Sequence, residues 1–273
     1  PTKGGGRVYS VFRAFILQRS LMVVNMKPRI IAHRGANKEA PENTASAFEA
    51  ALTYPIDGIE FDVQISSDGI PVLYHDKTLK KIGLPGKKIR DLSYLELCRL
   101  DWGGWFDPKF AGEPLCTFEQ VLMRFSGKTQ LWVEIKHTDR RDKPEELAHR
   151  IINLIRNGVS EKFFNNIYIL SFNRHILKHA HQKAPNLSYV LNLKSPASIP
   201  GGVKEIFQKF PFLFALCTSI RNLTRHFTFL VHQENKQVMT WSCNTLKELN
   251  KCLEAGVDSI ITDDPGRLAE KNA

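Results

Sequence analysis

The feature that most constrains this chain is a rhythm. From residue 28 onward, short apolar runs alternate with longer stretches whose apolar residues recur at helical spacing. The runs at 29–32, 58–65, 130–135, 167–171, 187–193, 214–218, 237–241 and 258–262 read as eight strands. Helical patterns fall at 43–54, 117–125, 145–157, 175–183, 203–210, 222–232 and 245–255, and a last short one follows Pro265. Asn43 or Thr44 is placed to cap the first helix, and Gly158 and Gly256 to stop two of the others. Repeated β-then-α order implies parallel strands joined by right-handed crossovers. Eight such units in about 245 residues favour a closed α/β TIM barrel over an open sheet. The rhythm breaks once. After a short extended piece at 70–74, residues 76–116 hold Gly83, Pro85, Gly86, DLSYLEL and DWGGWFDPKFAGEP, and read as an insertion after the second strand. The expected organisation is one barrel domain over 27–273, carrying that insertion and preceded by an extension of residues 1–26.

Composition narrows the class. With 42% hydrophobic and 24% charged residues in a chain of 273, the core needs no disulfide or metal staple. Five cysteines, an odd number with no CxxC pair, point to free thiols in a reducing compartment and away from a zinc site. That favours a cytoplasmic location. The net charge of +10 is uneven: eight basic and no acidic residues lie in 1–38, which leaves the body near neutral. A nucleic-acid binder would carry its basic face on the folded body, so no nucleic-acid partner is expected. Residues 8–24 are apolar but interrupted by Arg13 and Arg19, too short and too charged for a membrane span. Residues 1–26 therefore read as a dispensable tail, a targeting segment, or a helix making peripheral contact with an anionic membrane.

The chemistry sits on polar residues inside or just after the strands. The first strand runs into His33-Arg34-Gly35, the second carries Glu60 and Asp62, the extended piece ends in His75-Asp76, and the third strand ends in Glu134 and Lys136. In a barrel the strand C-termini converge on one face, which holds the active site. Side chains two apart on a strand point the same way, roughly 6.6 Å apart. Glu60 therefore shares a face with Asp62, and Glu134 with Lys136. Buried parallel strands normally read as unbroken apolar runs, so carboxylates within them are costly unless paired or metal-bound. Three carboxylates without cysteine suit one hard divalent cation, Mg²⁺ or Ca²⁺. Arg34 offers a planar fork of donors to phosphate oxygens and Lys136 a point charge, while His33 and His75 exchange protons near neutral pH. Such a set describes phosphate-ester cleavage. Each residue taken singly has a plainer reading: a satisfied histidine, a salt bridge between Glu134 and Lys136, or Glu60 and Asp62 facing solvent in the opposite register. Taken jointly, those readings require seven charged or ionisable residues to gather at strand ends by chance.

In this order these residues resemble the glycerophosphodiester phosphodiesterase family. The resemblance lies in IAHRGANKEAPENTASAFEAA, DGIEFDVQISSDGIPVLYHD and VEIK, then Ser171-Phe172, Thr240–Asn244 and Ile261–Pro265, and in an insertion carrying DWGGWFDPKFAGEPL. It spans residues 28 to about 268. Cys116, where a proline is common, and Ser242-Cys243 depart from the pattern without touching the chemistry. The resemblance implies a TIM barrel in which His33 and His75 form the acid–base pair. It implies metal ligation by Glu60, Asp62 and Glu134, and phosphate binding by Arg34 and Lys136. It further implies a substrate pocket walled by Trp241, with Asn43 and Ser171 near it. The expected products are glycerol 3-phosphate and an alcohol, an activity of lipid and glycerol metabolism. The sequence leaves open whether water or the substrate's 2-hydroxyl is the nucleophile.

Two further constellations have plain readings. His175, His179 and His181 lie on one helix without a carboxylate or cysteine partner, so an ordinary exposed helix face is expected. Trp102, Trp105, Phe106 and Phe110 form either a lipid-facing rim or a satellite core beneath the insertion. Two functions compete with hydrolysis of a small glycerophosphodiester. One is lysophospholipase D action at a membrane surface, which the basic start and the insertion aromatics would favour. The other is a silent barrel that only binds phosphorylated ligands, which the full set of seven residues argues against.

Overall fold

The computed structural model describes residues 27–198 and 201–272. The strands β1 (Arg29–His33), β2 (Gly58–Ile65), β4 (Gln130–Ile135), β5 (Ile167–Ser171), β6 (Ser188–Leu193), β7 (Leu213–Ser219), β8 (Gln237–Trp241) and β9 (Ser259–Thr262) form a parallel sheet, and β1 pairs with both β2 and β9, which closes it. The short β3 (Pro71–Leu73) runs antiparallel on β2. Helices α1 (Ala45–Ala51), α3 (Phe118–Phe125), α4 (Pro144–Gly158), α5 (Arg174–Lys183), α6 (Gly202–Lys209), α7 (Arg225–Gln233), α8 (Leu246–Ala255) and α9 (Pro265–Asn272) follow the strands, and the brief α2 (Tyr94–Leu97) lies in the insertion. This is the TIM barrel that the sequence rhythm predicts. The extension of residues 1–26 lies outside the described residues. Among the described residues no helix is long and apolar enough to cross a membrane.

Strand parity sorts the side chains into two cores. Ile59, Phe61 and Val63 of β2 join the layer between sheet and helices. Ile31, Trp132, Tyr168, Leu170, Val190, Ala215, Cys217, Met239 and Ile261 fill the barrel itself. Trp132 and Tyr168 stack with ring centroids 3.7 Å apart, and the Arg29 guanidinium lies over both rings and over Phe214, capping the floor. Gly58 is required beside this stack, since a Cβ there would sit 2.7 Å from the Trp132 indole nitrogen. Because Ile31 and Trp132 face inward, so do His33 and Glu134 two residues on, one layer nearer the C-terminal mouth. Glu60 and Asp62 have the opposite parity to Ile59, Phe61 and Val63 and face inward as well.

The insertion has its own small core of Val72, Tyr74, Leu79, Ile89, Leu97, Trp102 and Leu115. Trp102 packs edge-on against Tyr74 and donates its indole N–H to the Leu97 carbonyl. The satellite-core reading therefore holds for Trp102, while Trp105, Phe106 and Phe110 form an edge-to-face run beside it. Two terminators differ from expectation. Thr44, not Asn43, caps α1 by accepting from the Ala47 N–H. Gly158 is the last residue of α4 rather than a left-handed stop, because Val159 follows in extended backbone and satisfies the Ile155 carbonyl. At α8 the stop is as expected, with Gly256 at φ 72.

Candidate active site

Strand register assembles the mouth. On β1 and β2, His33 pairs with Glu60, and on β2 and β4, Asp62 pairs with Glu134, so residues from three strands meet as direct neighbours. The carboxylate oxygens of Glu60, Asp62 and Glu134 lie within 4.8 Å of one another and all three residues are buried. Lys136 reaches over them, its Nζ 3.1 Å from Asp62 and 2.9 Å from Glu134. Arg34 sets its Nε 3.2 Å from Asp62 and gives Nη1 to Glu42 at 3.0 Å. Arg34 adopts φ 58, an uncommon backbone for a bulky residue, which turns the chain sharply after β1. Its N–H donates to the Glu60 carbonyl, and its own carbonyl accepts from the Asn43 N–H.

These charges shape one another. Burial raises the Glu60 carboxyl well above its ordinary range, and the neighbouring Asp62 and Glu134 add to it. Burial likewise raises Glu134, against the pull of Lys136. Asp62 is the exception: burial would raise it, but Lys136 and Arg34 together hold it far below the usual carboxylate range. Burial disfavours the charge on Arg34 and Lys136 as well, yet the surrounding carboxylates keep both firmly protonated. Glu60 Oε2 is fully buried without a hydrogen-bond partner. An acceptor oxygen in that position, beside two more carboxylates, is what a hard cation would satisfy, so the donor set fits a divalent ion of the Mg²⁺ or Ca²⁺ type.

His33 points a ring nitrogen at this cluster, and His75 lies near enough to Asp62 to feel its charge. His33 Nε2 is 3.9 Å from Glu60, and its Nδ1 is 2.5 Å from Asp263. Asp263 also accepts from Asn37 and Asn244; burial opposes its charge, but His33 first, and then these two amides, hold its carboxyl below the usual range. His75 Nδ1 bonds Asp76 at 2.8 Å. Lys81, from the insertion, sits 2.7 Å from Glu42, 3.5 Å from Asp76 and over the Trp105 ring.

The remaining candidates divide. Ser171 is buried, donates to the Ile135 carbonyl and lines the cavity beside Glu134 and Lys136. Trp241 stands at the end of β8 with its ring edge-on to Phe172. Asn43 lies behind the carboxylates, bonding both the side chain and the N–H of Asp62. The three helical histidines do not converge: His175 lines the cavity, His179 lies edge-on to His149, and His181 stacks on Phe212. Asp263, Asn37, Asn244, Asn192, Glu42, Asp76 and Lys81 were not singled out by the spacing argument. Asp263 and Asn244 follow inward positions at strand ends and fall in the runs Ile261–Pro265 and Thr240–Asn244 that carry the resemblance.

A barrel with an acidic centre and two histidines at its C-terminal mouth has the layout of a phosphoester hydrolase. Residues 33–267 match the Glycerophosphoryl diester phosphodiesterase family. A glycerophosphodiester phosphodiesterase from Caldanaerobacter subterraneus is 31% identical over 89% of this chain and 97% of its own length. A lysophospholipase D from Mus musculus is 27% identical over 98% of this chain and 89% of its own length. The structure of an Oleispira antarctica phosphodiesterase in complex with sn-glycerol-3-phosphate superposes with a TM-score of 0.81 at 24% identity, covering 90% of this chain and 96% of that one, and so shares the fold. The chain belongs to the glycerophosphodiester phosphodiesterase family, and with it to the phosphodiester-hydrolysing enzymes.

Proposed function

We propose that this protein hydrolyses glycerophosphodiesters to glycerol 3-phosphate and an alcohol, with Glu60, Asp62 and Glu134 holding one divalent cation, Mg²⁺ or Ca²⁺, and with His33 and His75 as the acid–base pair. The observation that carries this reading is the gathering of three buried carboxylates within 4.8 Å, one oxygen of which has no hydrogen-bond partner, with His33 beside them. When bound, the cation would supply Lewis-acid stabilisation of charge on the phosphoryl oxygens. Arg34 and Lys136 flank the same point and oppose the remaining negative charge. Asp263 and Asp76 each occupy Nδ1 of their histidine, which leaves Nε2 of both rings for proton transfer. One histidine removes the proton from the attacking oxygen and the other returns one to the departing alkoxide. The complex of an Oleispira relative with sn-glycerol-3-phosphate supports the product side of this reading.

One observation favours a second substrate. The mouse relative named as a lysophospholipase D aligns with 98% of this chain. Turnover of glycerophosphodiesters against lysophosphatidylcholine, each with and without EDTA, separates the readings. We expect EDTA to abolish turnover and Mg²⁺ or Ca²⁺ to restore it. Full activity in EDTA would overturn the metal assignment, and cleavage of lyso-lipid alone would establish the second reading.

A further inference from the structure

The cavity beside the carboxylates is larger than a glycerol phosphate needs. It is an open cleft of about 800 Å³, towards the upper end of the ~300–1,000 Å³ of sites that take drug-sized ligands. It opens from Glu134 and Lys136 across the ends of β5 and β6. The space beyond the reacting phosphate must therefore receive the second alcohol of the diester.

The charge of its walls is one-sided. Lys77, Arg174 and Lys194 line it from three separate connections, and among the described residues none of them takes part in an ion pair. The acidic groups on the walls are Asp76 and Glu134, and both are spent. Asp76 is bonded to His75 and Lys81, and Glu134 to Lys136 and Asn192. No carboxylate on the walls is left to face a cationic guest. Nor do the walls form an aromatic cage. Among the described residues Phe172 is the one phenylalanine, tyrosine or tryptophan lining the cavity, and it is already edge-on to Trp241. Recognition of a quaternary ammonium group relies on several ring faces around the cation, whereas here it would meet three like charges. Cationic walls in a cleft focus potential onto an anionic guest.

We propose that the leaving alcohol is a bulky polyhydroxylated group carrying its own negative charge, a phosphorylated polyol, and that Lys77, Arg174 and Lys194 select it over choline. This rests on the phosphodiesterase reading above, and it names the substrate class of the same site. The additional phosphate lies among the three cations, which contribute charge-assisted hydrogen bonds to its oxygens.

The test compares a monophosphorylated glycerophosphoinositol, glycerophosphoglycerol and glycerophosphocholine with the full chain. We expect kcat/KM to fall in that order, with at least about tenfold between first and last at low ionic strength, shrinking as salt screens the walls. Arg174→Glu combined with Lys194→Glu, both on exposed positions, should lower the ratio of the first to the last at least about fivefold. Calorimetric titration of the three compounds onto the His33→Ala variant reads the same order as affinity, without turnover. Equal affinity for all three, preference for the choline compound, or a ratio untouched by the double reversal would overturn the proposal. Absence of turnover on every compound, with the affinity order intact, would instead remove the catalytic reading and leave the selective cavity standing.

Discussion

The two histidines at the mouth are held in different ways. His33 ends a barrel strand, and its partner Asp263 follows the last strand and is itself held by Asn37 and Asn244. Three connections of the barrel thus converge on one imidazole. His75 follows the short antiparallel β3, and its partner is the adjacent Asp76, which is more exposed and is tied down by Lys81 of the insertion. Gln64 adds a brace by donating to the carbonyls of Tyr74 and Asp76. One half of the proposed acid–base pair is thus built into the barrel and the other is leased from a loop with its own small core. The barrel side is over-determined, and the insertion side depends on few contacts.

The largest effect should not distinguish the two sides. His33→Ala and His75→Ala are each expected to lower kcat by at least about 10²-fold, the scale of acid–base loss. A variant that keeps more than a tenth of the activity would show that its histidine stands outside the chemistry. The orienting carboxylates should then separate the sides. Asp263→Ala is expected to cost about 10- to 100-fold in kcat, since His33 loses its fixed tautomer and Asn37 and Asn244 lose a shared acceptor. Asp76→Ala should cost less than about tenfold, because the Gln64 brace remains. Equal losses measured in parallel would break the comparison.

Lys81→Ala comes next, with an expected fall of a few-fold in kcat. Loss of the ammonium leaves Glu42 facing only Arg34 and Asp76 paired only with His75. Lys81→Arg should restore most of the activity, and failure of that rescue would point to a steric role. The smallest effect lies at the opposite end of the barrel. His232 bonds Asp258, just before β9, and that bond raises its proton affinity above the ordinary histidine range. A raised folded value stabilises the protein in full below the unfolded pKa of about 6.5 and ceases to do so as pH rises through the folded value. The difference in Tm between the wild type and His232→Gln should therefore be small, greatest in acid and absent in alkali, with kcat unchanged. A difference that grows with pH would contradict the assignment.

Much of this was legible beforehand, for identifiable reasons. The eight strands announced themselves because buried parallel strands are short, apolar and regularly spaced. Glu60, Asp62 and Glu134 stood out because a carboxylate inside such a run is costly. Their convergence followed from period-two geometry. The supporting residues gave no such signal. Lys81 lies in a basic stretch that resembles an ordinary solvated surface, and its role depends on how the insertion folds back over Glu42. Asn192 is one polar residue in a strand, and nothing local says that it donates to Glu134 from two strands away. Asn43 could be read as a helix cap because asparagine favours that position. Its left-handed backbone at φ 60 and its bonds to Asp62 belong to the tertiary structure.

The barrel floor has a bearing on turnover. Trp132 and Tyr168, roofed by Arg29, stopper the end opposite the chemistry. Nothing can pass through the axis, so substrate entry and both departures share a single doorway. In the proposed reaction the alcohol and glycerol 3-phosphate would leave by the route that the next diester takes in, and accumulated product would compete directly with incoming substrate.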